Sequence, residues 1–198
     1  MTSVSAFAGA QRKMIDMGSL TADADGTPVL APLLAQFDTS LELLLERLDG
    51  LTDDEYRWSP VPGAADLVPV VGDELVAIEN DGGEAIRTIA WMLAHLVDGF
   101  LTRADHVDGT HSLAEAYGPF PSSAEEAVEQ FARAAARWRS AVAGADGEQA
   151  GQVGYSQYPG GLDRTLPFVD VVWWVNRELI HHGADIALIR DLYLALGE

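Results

Sequence analysis

The sequence predicts an all-α fold: a four-helix bundle, with room for a small β-hairpin between its first two helices. Three observations carry that prediction. Four long segments place apolar residues at steps of three and four, the period of a helix face. Glycine- and proline-rich stretches punctuate them, and no strand–helix alternation appears. The composition, 48% apolar and 22% charged over 198 residues, is that of one ordinary globular domain.

Residues 1–29 read as a loosely ordered lead-in, because Gly18, Asp23, Asp25, Gly26 and Pro28 break any period. The bundle then occupies 30–198. Its first helix runs from about Leu30 with Leu33, Phe37, Leu41, Leu44 and Leu48 on one face, and Gly50 ends it. Residues 51–83 are irregular. Within them, two β-branched runs flank Gly72-Asp73, which reads either as a hairpin or as a surface loop. The second helix is expected from near Gly83 to about Val107, with Ile86, Ile89, Leu93, Leu96 and Phe100 as its stripe. Ser122 and Ser123 each precede a Glu by three residues, so a capping box starts the third helix. Val128, Phe131, Ala135, Trp138 and Val142 line that helix. A loop, GADGEQAGQVGYSQYPGG, leads to the last helix, which runs from Pro167 to Leu196 and spans roughly 45 Å at the usual rise.

That last helix raises the chemical question. Its apolar face reads Phe168, Val171, Val175, then Ile186, Ile189, Tyr193 and Leu196, and the same stepping through the middle lands on Glu178 and His182. A carboxylate in an apolar core is unfavourable by several kcal/mol unless paired or bound to a metal. Carboxylate and imidazole one turn apart are together a good pair of metal ligands, and a third ligand is then needed from another helix.

The chain has five histidines. His106 and His111 flank the loop after the second helix, where a solvated position is expected. His181 points about 100° away from His182, off the stripe. His95, mid-way along the second helix at the edge of its apolar face, completes a triad with Glu178 and His182. Three protein ligands leave an open coordination position, the mark of a reactive rather than a structural site. Asp98 and Asp185, each three residues after a histidine of the triad, are candidates to accept a hydrogen bond from the imidazole's second nitrogen. Trp91 and Trp174, each four residues before a triad member, are candidate pocket walls, and Arg177 a candidate donor beside the site. A polar pair at a bundle edge and a core histidine give the same spacing, and spacing does not separate the two readings.

Composition narrows the function. The net charge of −19 opposes binding to nucleic acid or to an anionic membrane surface. The absence of cysteine excludes disulfides, thiolate metal sites and a sulfur nucleophile carried by the chain. The N-terminal MTSVSAFAGAQRKMIDMG lacks a long apolar core, and no stretch reaches the length of a membrane span, so a cytoplasmic protein is expected.

TIAWMLAHL on the second helix and NRELIHHGADIALIRDLY on the last, with RWSPVPGA between the first two, resemble the DinB-like superfamily of metalloenzymes over roughly residues 30–196. The resemblance implies a four-helix bundle holding a divalent metal through one histidine of the second helix and an H-x-x-x-H pair of the last. By position these are His95, Glu178 and His182, with Glu178 standing where many members have histidine. That His, Glu, His set resembles the mycothiol-dependent maleylpyruvate isomerase branch, in which a small thiol is co-substrate. The resemblance therefore implies zinc, with nickel, iron or manganese as alternatives, a mycothiol-type thiol, an electrophilic small-molecule substrate and a homodimer. The expected activity is a metal- and thiol-dependent transferase or isomerase. A hydrolase with a metal-activated water, and a non-enzymatic metal-binding or dimerisation module, are the alternatives.

Overall fold

A computed structural model describes residues 28–69, 75–77, 86–109, 111, 119–159 and 161–196. The lead-in up to residue 27 lies outside them, as do the Gly72-Asp73 turn and the expected start of the second helix near Gly83.

Helix α1 (Ala31–Leu48) begins with Pro32 in its first turn, where no amide donor is missed, and ends at Gly50, whose φ of +69° is the left-handed conformation that glycine adopts without strain. A short helix α2 (Asp53–Tyr56) follows, capped by the Thr52 hydroxyl. The hairpin reading holds: β1 (Leu67–Pro69) pairs antiparallel with β2 (Leu75–Ala77), Val68 opposite Val76. Helix α3 (Ile89–Asp108) starts later than the apolar stepping suggests. Arg87 is taken by a parallel bridge to Ala65, Thr88 caps the helix through the Trp91 amide, and Ile86 is left 47% exposed.

Helix α4 (Ala124–Ala143) is capped by the second of the two serines, Ser123, whose hydroxyl accepts from the Glu126 amide. The following loop is less irregular than its glycines suggest. It holds helix α5 (Gly147–Gly151), started by a capping box of Asp146 and Gln149, and a 3₁₀ turn (Gly161–Arg164). Helix α6 (Phe168–Leu196) is the longest.

The four long helices pack in a ring, α1 against α6 and α4, and α3 against α4 and α6. Aromatic rings fill the centre: Phe37 meets Phe100 edge-on at 5.6 Å, Phe100 meets Phe131 at 6.1 Å, and Trp138 meets Phe168 at 6.1 Å. Each such side chain, fully buried, contributes about 1.5–3 kcal/mol relative to exposure, so the ring is held by its interior and not by its surface ion pairs.

The stripes differ from their reading at two places. On α1, Leu34 is buried and Leu33 only partly so, and the C-terminal end of the α6 stripe is not core, since Leu196 is 63% exposed. In mid-helix, Leu179 and Asn176 take buried positions, and the Asn176 amide donates to the Leu33 carbonyl and the Gln36 side chain across the α1 interface. Below them, Arg190 binds Glu55 through both carboxylate oxygens and caps the carbonyls of Arg47 and Asp49 at the end of α1. Among the described residues, no helix is long and apolar enough to cross a membrane.

Candidate metal centre between α3 and α6

Helix periodicity puts Glu178 and His182 on one face of α6, and the α3–α6 contact brings His95 opposite them. The Glu178 Oε2 lies 3.5 Å from His182 Nε2 and 3.6 Å from His95 Nε2. One ligand atom from each residue lies within 4.8 Å of the others, so the three can hold a metal ion. Burial is graded: His182 is 5% exposed, Glu178 15% and His95 36%, which closes one side and leaves the other open to small molecules.

The separations suit a cation better than the residues alone. Tetrahedral ligands bonded at about 2.0–2.1 Å stand roughly 3.3 Å apart, close to the two separations around Glu178 Oε2. Two imidazole nitrogens aimed at one carboxylate oxygen from 3.5 and 3.6 Å are too distant for good hydrogen bonds and about right for a shared ion. His182, then His95, with Arg177 beside them, hold the Glu178 carboxyl far below the usual carboxylate range, against the upward push of its burial.

The surrounding residues fix the rings. Arg177 donates to Glu178 Oε1 at 2.7 Å, leaving Oε2 for the site. Trp91 stacks on His95 with ring centroids 5.0 Å apart and planes 10° from parallel, and meets His182 edge-on at 6.2 Å. His182 Nδ1 is buried with no hydrogen-bond partner, and Asp185 Oδ2 stands 3.8 Å from it, short of a bond. Asp185 is shared with the exposed His181, whose Nε2 is 3.5 Å away. Asp98 accepts the Thr102 hydroxyl at 3.5 Å and lines the same cavity as His95. Trp174 lines that cavity too, lying under the guanidinium groups of Arg103 (4.6 Å) and Arg177 (5.9 Å).

One expectation is corrected. His106 is not solvated: it is 4% exposed, its Nδ1 donates to the Thr102 carbonyl at 2.9 Å, and its ring packs on His111 and Tyr158. The helix ends at Asp108, about where it was expected, but the rings of His111 and Tyr158 close over His106. Arg103 is the residue that the sequence reading passed over. It sits two turns after His95, and only its net-charge rarity in an acidic chain could have drawn attention to it.

The cavity on the open side holds about 200 Å³ and is lined by His95, Gly99, Arg103, Trp174 and Glu178 among others. A larger groove of about 480 Å³ runs from Asp185 and Arg87 along Leu188 and Leu192 to Trp58.

The bundle and the triad agree with the comparison by family. The DinB superfamily model matches residues 36–186, and the chain belongs to that superfamily. No curated protein and no solved structure matches it.

Proposed function

We propose that the chain is an enzyme that holds a divalent cation on His95, Glu178 and His182 and uses a small external thiol of the mycothiol type, as a transferase or isomerase. The observation that supports this reading is the convergence of three donors from two facing helices on one partly open point. Zinc suits a His, Glu, His set, and nickel, iron or manganese accept the same ligands. A divalent cation bound there supplies the positive charge that favours the deprotonated form of an incoming thiol.

The chain's own residues do the rest. Glu178 offsets half of the ion's charge, and Arg177 orients it by holding its second oxygen. Trp91 covers His95 and keeps water from that flank. The open side faces the 200 Å³ cavity, through which a small electrophile reaches the thiol. Because the sequence has no cysteine, the sulfur must come from outside. The proposal also includes a cytoplasmic location and a homodimer, for which the exposed leucines at the end of α6, Leu188, Leu192 and Leu194, are the natural contact.

The test is the absorption spectrum of the cobalt-substituted protein during titration with a small thiol. A sulfur-to-cobalt charge-transfer band that saturates supports the reading. A cobalt-loaded protein whose spectrum ignores thiols contradicts it and leaves a metal-activated water as the chemistry.

A further inference from the structure

Two helical turns past His95 stands Arg103, its side chain only 11% exposed. Asp163 faces its Nε at 3.4 Å, and its guanidinium lies over the rings of Tyr158 at 4.9 Å and Trp174 at 4.6 Å. Asp163 is itself buried and takes the Ser156 hydroxyl on its other oxygen at 2.7 Å. The ion pair is loose: neither Arg103 Nε nor Asp163 Oδ2 has a hydrogen-bond partner. Among the described residues, no hydrogen bond leaves the Nη atoms of Arg103, and the residue lines the cavity. The residue before Tyr158, Gln157, is held at a φ of +55°, a left-handed conformation uncommon for a side-chain-bearing residue. Three separate segments thus converge to fix one arginine without using its donor fork.

Between His95 and Arg103, on the same face of α3, is Gly99. Glycine inside a helix is unfavourable relative to alanine. Among the described residues nothing in the packing requires it here, because a Cβ at Gly99 meets only Arg103 Nη1, at an ordinary 3.9 Å. The space over Gly99 belongs to the cavity, and it joins the triad at one end to Arg103 at the other.

We infer that this cavity seats a small carboxylate, its anionic end on the free fork of Arg103 and its carbon chain over Gly99 toward His95. A planar guanidinium with two free donors matches a carboxylate in bidentate fashion. A more highly charged anion is disfavoured by Asp98 and Glu178 in the same lining. The volume lies below the roughly 300–1,000 Å³ of sites for drug-sized ligands, so the ligand is a short-chain acid. The inference rests on the proposed function only in taking the triad end as the reactive one; the carboxylate seat stands on Arg103.

The experiment is an NMR titration of the metal-free full chain with pentanoate and, separately, with pentan-1-ol. Pentanoate is expected to bind and the alcohol to bind at least about tenfold more weakly, the difference that a charge-assisted pair supplies. Arg103→Gln should remove that preference, Arg103→Lys should keep part of it, and Gly99→Leu should block both ligands with Arg103 in place. Zinc content measured in parallel should be unchanged in Arg103→Gln and Gly99→Leu and lost in Glu178→Gln. Equal binding of acid and alcohol, or pentanoate binding that survives Arg103→Gln, overturns the inference. Should Arg103→Gln fail to fold, the acid–alcohol comparison on the unaltered chain and Gly99→Leu decide. Zinc absent with the pentanoate preference intact removes the proposed function and leaves the carboxylate seat.

Discussion

At the scale of single residues, Glu178 and His182 answer a simple question of cost. Side chains that pack worse than leucine persist on an inward face when something else is bound there, and the 3.5 and 3.6 Å separations around Glu178 Oε2 leave space for it. Asp185 should then act through His182. Asp185→Asn is expected to weaken zinc binding by about 10–100-fold, the usual effect of losing a ligand's outer partner, in competition with a chromophoric chelator. An unchanged affinity would mean that Asp185 serves only His181. Tyr56 makes a different prediction. It is buried, donates to the Pro121 carbonyl at 3.0 Å, and burial pushes its phenol well above the usual range. A raised folded value favours the neutral phenol, so this stability is complete below the unfolded pKa of about 10 and declines as pH rises past it. In Tyr56→Phe that alkaline decline should shrink, with a loss near neutrality of about 1 kcal/mol from the missing hydrogen bond, read by urea unfolding across pH. An identical alkaline limb in the variant would contradict it. That His95, Glu178 and His182 come together was legible from helical spacing and the scarcity of histidine, while their reading as metal ligands rested on the family resemblance. Arg103 was not, since its setting depends on Tyr158, Asp163 and Trp174, which no local pattern links.

At the scale of elements, helix ends followed local chemistry and were legible where that chemistry is local. Gly50 and Ser123 mark their ends in the chain as in the fold. The start of α3 was misplaced because Arg87 pairs with Ala65, a contact that periodicity does not encode. Helix α5 was missed although Asp146 and Gln149 have capping-box spacing, because the surrounding glycines weighed more heavily. The fastening of α2 to α6 could not have been foreseen: Glu55 and Arg190 lie far apart in sequence and meet in the interior. Removing one partner leaves the other charge buried. Arg190→Leu is expected to destabilise by about 3–5 kcal/mol, while Glu55→Leu combined with Arg190→Leu should lose less than the sum of the two single changes. Additive losses in denaturant unfolding would show that the pair is not the clamp between these helices.

At the scale of the whole molecule, a bundle with net charge −19 repels itself. Raising salt from about 0.01 to 0.15 M shortens the Debye length from about 30 to about 8 Å, so stability should rise over that interval, followed by thermal unfolding of the metal-free protein. A fall would mean that its attractive pairs, such as Arg139–Asp38, outweigh the bulk repulsion. The same charge field concentrates cations, which favours loading of an internal site. The most direct measurement is elemental analysis of the purified protein beside Glu178→Gln and His182→Ala. The account predicts about one divalent ion per chain, the count implied by three ligands around one open position, with both variants losing it and staying folded. Full metal content in either variant, or none in the parent protein after incubation with zinc, would contradict the account and leave the polar stretch of α6 as packing alone.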